Sequence, residues 1–116
     1  MMYSCEDASK TITVYQLKEL LDRGENWQLM DVREAYEHDI VNLGGILLPL
    51  SLIEAKKEDP SKISSDRSVV VYCRSGQRSR KSITLLKERY GLQNLYNLEG
   101  GVNEWARVID RTMARY

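Results

Sequence analysis

Five short apolar runs, each followed by a stretch of helical periodicity, constrain this chain more than any other property. Residues 11–24, TITVYQLKELLDRG, open with an alternating piece and turn helical. Thr13 and Gln16 have capping-box spacing, Leu17, Leu20 and Leu21 form an apolar stripe, and Gly24 stops the helix. Residues 27–32, WQLMDV, read as a buried strand closed by the polar Asp31 and Arg33, and residues 34–41 as a short helix. ILLPL, residues 46–50, is another buried strand, with Pro49 at its end; Ser51 and Glu54 then have capping-box spacing and open a helix. SVVVYC, residues 68–73, is a strand, followed by a helix over 78–90 with Ile83, Leu86 and Tyr90 on one side and Gly91 as its cap. LQNLYNL, residues 92–98, is the last strand, and the double glycine at Gly100 and Gly101 starts the last helix. Strand and helix thus alternate five times, which predicts an α/β fold built on a parallel sheet with helices on both faces. Such sheets place ligands at the carboxyl ends of their strands.

Length and charge set the outer bounds. A chain of 116 residues supports one core, so residues 11–116 are expected to form one domain behind a loose polar lead-in over residues 1–10. The polar segment 58–67, EDPSKISSDR, reads as a surface connection inside that domain. With 17 basic and 17 acidic side chains, no general nucleic-acid or membrane surface is expected. No apolar run reaches the length of a membrane span or a signal peptide. Two cysteines, Cys5 and Cys73, with this much apolar sequence fit reduced thiols and a cytoplasmic protein. One histidine and no CxxC pair give no basis for a zinc site.

The charge is unevenly placed. From Arg67 to Lys87, both included, there is no acid but six cations, and Cys73 lies inside that window. A thiol is a weak nucleophile until it ionises. Three features favour the thiolate here: a loop leading into a helix N-terminus, Gly76 to let that loop turn its N–H groups inward, and the charges of Arg74 and Arg78. The same features hold an oxyanion, so Cys73 is built to attack an anionic electrophile. A free cysteine ending a core strand is more often a packing residue, but packing does not call for a glycine and two arginines directly after it.

Four motifs in order then resemble a rhodanese-superfamily domain over about residues 11–109. They are Asp31-Val32-Arg33-Glu34; Leu43-Gly44-Gly45 through Pro49; the loop Cys73-Arg74-Ser75-Gly76-Gln77-Arg78-Ser79; and Leu98-Glu99-Gly100-Gly101 with Trp105. The resemblance implies a five-stranded parallel sheet and a sulfurtransferase that works in two half-reactions. Cys73 would take the outer sulfur of a donor such as thiosulfate, or of a protein persulfide, and pass it to an acceptor. No cofactor is implied beyond the transient cysteine persulfide. Loop N–H groups from Ser75, Gly76 and Gln77, with Arg78, would hold donor and persulfide; Arg74 would face solvent and recruit anions; Ser79 would cap the following helix. Asp31 and Arg33 would brace the loop as a salt bridge. The wording is most similar to the rhodanese module of adenylating enzymes in molybdopterin or thiamine synthesis, which implies a ubiquitin-like sulfur-carrier protein and an adenylating domain as partners. Nothing in the 116 residues supplies an ATP site.

One departure is Asn42, where the family commonly has histidine; His38 is expected to be a surface helix residue. Two rival readings share the fold. Phosphatases and arsenate reductases of this kind carry an arginine six positions after the cysteine, whereas here that position is Ser79 and Arg78 is fifth. The shorter loop suits sulfur better than phosphate. Non-catalytic rhodanese-like binding modules often lack the cysteine, which this chain keeps. Cys5 is expected in a disordered tail, Trp27 and Trp105 in the core, and Arg80, Lys81 and Lys87 on a solvated helix face or against an acidic partner.

Overall fold

A computed structural model describes residues 10–116, so the expected lead-in and Cys5 lie outside the described residues. Five strands form one sheet: β1 (Thr11–Ile12), β2 (Gln28–Asp31), β3 (Ile46–Leu47), β4 (Val69–Tyr72) and β5 (Leu95–Leu98). Their order is β1-β5-β4-β2-β3, and every pairing is parallel. The helices are α1 (Val14–Asp22), α2 (Ala35–Ile40), α3 (Leu50–Glu54), α4 (Gln77–Tyr90) and α5 (Gly101–Val108), with a 3-10 turn at Pro60–Lys62 inside the expected surface connection. The fold class expected from the alternation is the one observed.

The central strand explains why. Val69, Val70, Val71 and Tyr72 are all buried, because β4 has helices on both sides. Val69, Val71 and Cys73 point to a core shared with Ile53 of α3 and Ile83 and Leu86 of α4. Val70 and Tyr72 point to the opposite core, with Val14 and Leu17 of α1 and Val102 and Trp105 of α5. The chain runs outward from β2 to β3, then returns to β4 and proceeds the other way to β5. The crevice beyond β2 and β4 is therefore the topological switch point, and Cys73 is the first residue past β4.

Several local expectations hold and others are corrected. Thr13 and Gln16 make the reciprocal capping box of α1, at 3.1 and 2.9 Å. Leu17 is buried, but Leu21 is 43% exposed. No capping box forms at Ser51: Pro49, in an extended conformation, is itself the N-cap of α3, and Ser51 Oγ donates to Glu34 instead. Ile83 and Leu86 are core residues, whereas the Tyr90 ring is exposed and its hydroxyl donates to Glu58. Trp105 is in the core, and the half-buried Trp27 packs on the same core and against Tyr96, the Trp27 and Tyr96 ring centroids 5.1 Å apart. Arg80 and Lys81 are exposed as expected, with Lys81 paired to Glu54 at 2.5 Å; Lys87 is half-buried.

Candidate active site

Cys73 sits at the base of a short loop with its side chain almost wholly buried. Gly76, also buried, has φ +107, a conformation that side chains resist, and it turns the loop back so that its own N–H donates to Cys73 Sγ at 3.0 Å. Helix α4 starts at the next residue, which puts its N-terminus beside the sulfur. Ser75 and Gln77 are exposed on the rim. Arg74 faces solvent as expected, and its guanidinium lies over the Tyr116 ring, 5.0 Å from the centroid, and donates to the Tyr116 carbonyl.

The loop rests on the start of α5. Val102 N–H donates to the Cys73 carbonyl at 2.9 Å and Asn103 N–H to the Arg74 carbonyl at 3.0 Å. A Cβ on Gly101 would stand 2.4 Å from the Cys73 oxygen and 2.6 Å from the Arg74 oxygen, and its φ is +58. The double glycine therefore lets α5 approach the loop's backbone and satisfy carbonyls that no sheet partner reaches.

Two of the expected roles are corrected. Ser79 does not cap α4, whose N-cap is Gly76 with no side-chain cap. Ser79 is buried inside the first turn, its Oγ 3.4 Å from Cys73 Sγ and donating to Asn97 Oδ1. The Arg78 guanidinium, expected at the sulfur, is instead paired with the Glu37 carboxylate in a two-point contact at 2.6 and 2.8 Å. The positive charge remains close enough to act on Cys73, but Glu37 offsets part of it.

Asp31 and Arg33 form a wholly buried bidentate pair, at 2.9 and 2.8 Å. They do not bond the Cys73 loop directly. Arg33 also donates to the Val41 carbonyl and to the Tyr116 hydroxyl, both at 2.6 Å, and the Tyr116 hydroxyl donates to Glu37 at 2.9 Å. The support thus reaches the loop as a chain: Arg33, Tyr116, Glu37, Arg78. Burial opposes the Arg33 charge, but the hydrogen bonds it donates to Asp31 and Tyr116 outweigh that cost and hold the guanidinium above its ordinary value. His38 is no free surface residue; its Nδ1 lies 2.8 Å from Asp31 Oδ2. Asn42 turns the loop after α2, bonding the His38 carbonyl and the Gly44 N–H.

The hydrogen bond from Arg78, working against burial, holds the Glu37 carboxyl at about 2, below its ordinary 4.5. A depressed carboxyl stabilises the fold fully above its unfolded value and loses that contribution as pH falls through its folded value. The window is therefore from about pH 4.5 down to about 2. Screening at the partly exposed Arg78 reduces the contribution to roughly 2 kcal/mol. Urea unfolding across that window will show a flatter acid limb in Glu37→Gln than in the parent; identical limbs would remove Glu37 as the cause.

Sequence reasoning missed Glu37, Asn97 and Tyr116. Asn97 left a signal: a polar residue in an otherwise apolar strand must find partners when buried. Glu37 and Tyr116 left none, since their pairing depends on how α2 and the last residues pack.

Among the described residues, no group of three or more His, Cys, Asp or Glu side chains is gathered to hold a metal, and no helix is long and apolar enough to cross a membrane. A family model described as the rhodanese-like domain matches residues 13–108. The chain is 37% identical over 107 residues to the probable adenylyltransferase/sulfurtransferase MoeZ of Mycobacterium tuberculosis, covering 91% of this chain and 27% of that protein. It is 32% identical over 107 residues to the adenylyltransferase and sulfurtransferase MOCS3-2 of Zea mays, covering 88% and 22%. The chain thus spans about a quarter of the length of these curated relatives. The fold is also that of the human single-domain sulfurtransferase TSTD1, with a TM-score of 0.72 at 23% identity, covering 86% of this chain and 97% of that one.

Proposed function

Because the chain belongs to the rhodanese-like domain family, we propose that it is a sulfurtransferase whose Cys73 carries sulfur as a persulfide. The observation that carries this reading is Cys73 Sγ at the switch point of the sheet, with the Gly76 N–H aimed at it from a loop that reaches Arg78 in five residues. In the first half-reaction the thiolate attacks the outer sulfur of thiosulfate. The S–S bond breaks, sulfite leaves with the bonding pair, and Cys73 keeps the sulfur. In the second, a nucleophile attacks the terminal sulfur and Sγ leaves as thiolate. The loop's N–H groups and the α4 N-terminus stabilise the sulfur anion in both. A hollow of about 420 Å3 beside the loop is lined by Arg74, Ser75, Asn103, Arg115 and the Arg107–Glu104 pair, a cationic excess that favours an anionic donor.

The natural donor in this reading is thiosulfate or a protein persulfide, and no cofactor takes part. Likeness to adenylyltransferase/sulfurtransferases supports a finer reading. In it, the acceptor is the adenylated carboxyl end of a ubiquitin-like sulfur-carrier protein, delivered by an adenylating domain, in a cytoplasmic pathway of molybdopterin synthesis. There the terminal persulfide sulfur attacks the acyl carbon and AMP leaves; a thiol then attacks Cys73 Sγ so that the carrier departs as a thiocarboxylate, and a second thiol breaks the resulting mixed disulfide to restore the Cys73 thiolate. A phosphatase reading is disfavoured by the short loop and by the commitment of Arg78 to Glu37.

Incubation with thiosulfate followed by peptide mass spectrometry tests the proposal. One sulfur atom gained on the Cys73 peptide is expected, with negligible turnover of an aryl phosphate. A Cys73-dependent phosphatase with no sulfur adduct would overturn it.

A further inference from the structure

Asn97 lies in a core strand and is 5% exposed, yet both ends of its amide are in use. Nδ2 donates to the Gly76 carbonyl at 3.1 Å. A carbonyl only accepts, so the amide cannot be turned round, and Oδ1 must face Ser79 Oγ. Oδ1 also only accepts, so Ser79 gives it the single hydroxyl proton. The Ser79 oxygen 3.4 Å from Cys73 Sγ therefore presents lone pairs to the sulfur. A neutral thiol fills that contact by donating its S–H to Ser79 while accepting from the Gly76 N–H. A thiolate has no proton to give, and it meets those lone pairs until the Ser79 hydroxyl swings off Asn97.

We propose that Asn97 is a positioning residue that holds the Ser79 proton away from Cys73 and so sets how readily the nucleophile ionises. Ionisation sends the thiol proton to solvent and turns the Ser79 proton from Asn97 Oδ1 to Sγ; nothing is oxidised or reduced. The charged groups around the sulfur are Arg78 on α4, with Glu37 of α2 and Tyr116 behind it, and Arg74 on the rim. Asn97→Leu leaves all of these in place while removing both ends of the amide at similar volume.

The proposal rests on Cys73 being the nucleophile, but its test uses no sulfur donor, so the two readings fail separately. Iodoacetamide alkylation of Cys73 is followed against pH, by peptide mass spectrometry, in the parent, Asn97→Leu, Ser79→Ala and the double variant. Asn97→Leu frees the Ser79 proton for the thiolate and moves the alkylation midpoint toward acid by on the order of half to one pH unit. In the Ser79→Ala background that shift disappears. An equal shift in both backgrounds would assign Asn97 to loop architecture alone, through Gly76, and overturn the proposal, as would no shift at all. A second measurement needs no variant. The Asn97 side-chain amide resonance of the parent moves with the alkylation midpoint, because Oδ1 loses its donor there; a static resonance contradicts the proposal.

Discussion

Arg33→Met destabilises the protein by about 3–5 kcal/mol, the usual cost of stranding one member of a buried ion pair. Asp31 is wholly buried and, among the described residues, keeps only His38 as a side-chain partner once the guanidinium is gone. The Val41 carbonyl and the Tyr116 hydroxyl lose a donor in the same step. Most of the loss is the uncompensated carboxylate, so adding Asp31→Asn recovers a good part of it. Urea unfolding of the two variants measures both numbers. A single variant as stable as the parent would mean that the pair is not buried as described. The loss also reaches the loop, because Tyr116 links Arg33 to Glu37, and Glu37 holds Arg78.

The fold was legible because its signals are local. The run from Val69 to Tyr72 is apolar without alternation, which only a strand covered on both faces satisfies. Gly91 and the Thr13–Gln16 pair mark helix ends through short-range hydrogen bonds. The Ser51–Glu54 spacing misled because Pro49, with its fixed φ, already supplies the helix start two residues earlier. At the site, the cysteine, the loop glycine and the spacing to Arg78 were legible for the same local reason. The partners of that loop were not. Glu37 is 41 residues from Arg78, Asn97 is 18 from Ser79, and Tyr116 is 83 from Arg33. Long-range pairs are set by how helices pack on the sheet, which a residue pattern does not encode. Ser79 shows the consequence: it lies inside the first turn of α4, just past the loop, and its partner is a strand residue rather than a helix end.

Cys73→Ser abolishes sulfur transfer, by at least about 10³-fold, since the loop and its N–H groups remain but the atom that forms the S–S bond does not. The effect is larger than that of any neighbouring substitution because no other described side chain offers a thiol at the cradle. The fold is unaffected, as a hydroxyl replaces a thiol of similar size beside Ser79 and the Gly76 N–H.

Thiosulfate labelled in its outer sulfur tests the persulfide on Cys73 most directly. Before any acceptor is added, the label is found on the Cys73 peptide, in step with the sulfite released. After cyanide is added, it leaves that peptide and appears in thiocyanate. Thiocyanate formed without label ever residing on Cys73, or formed as fast by Cys73→Ser, would contradict the account.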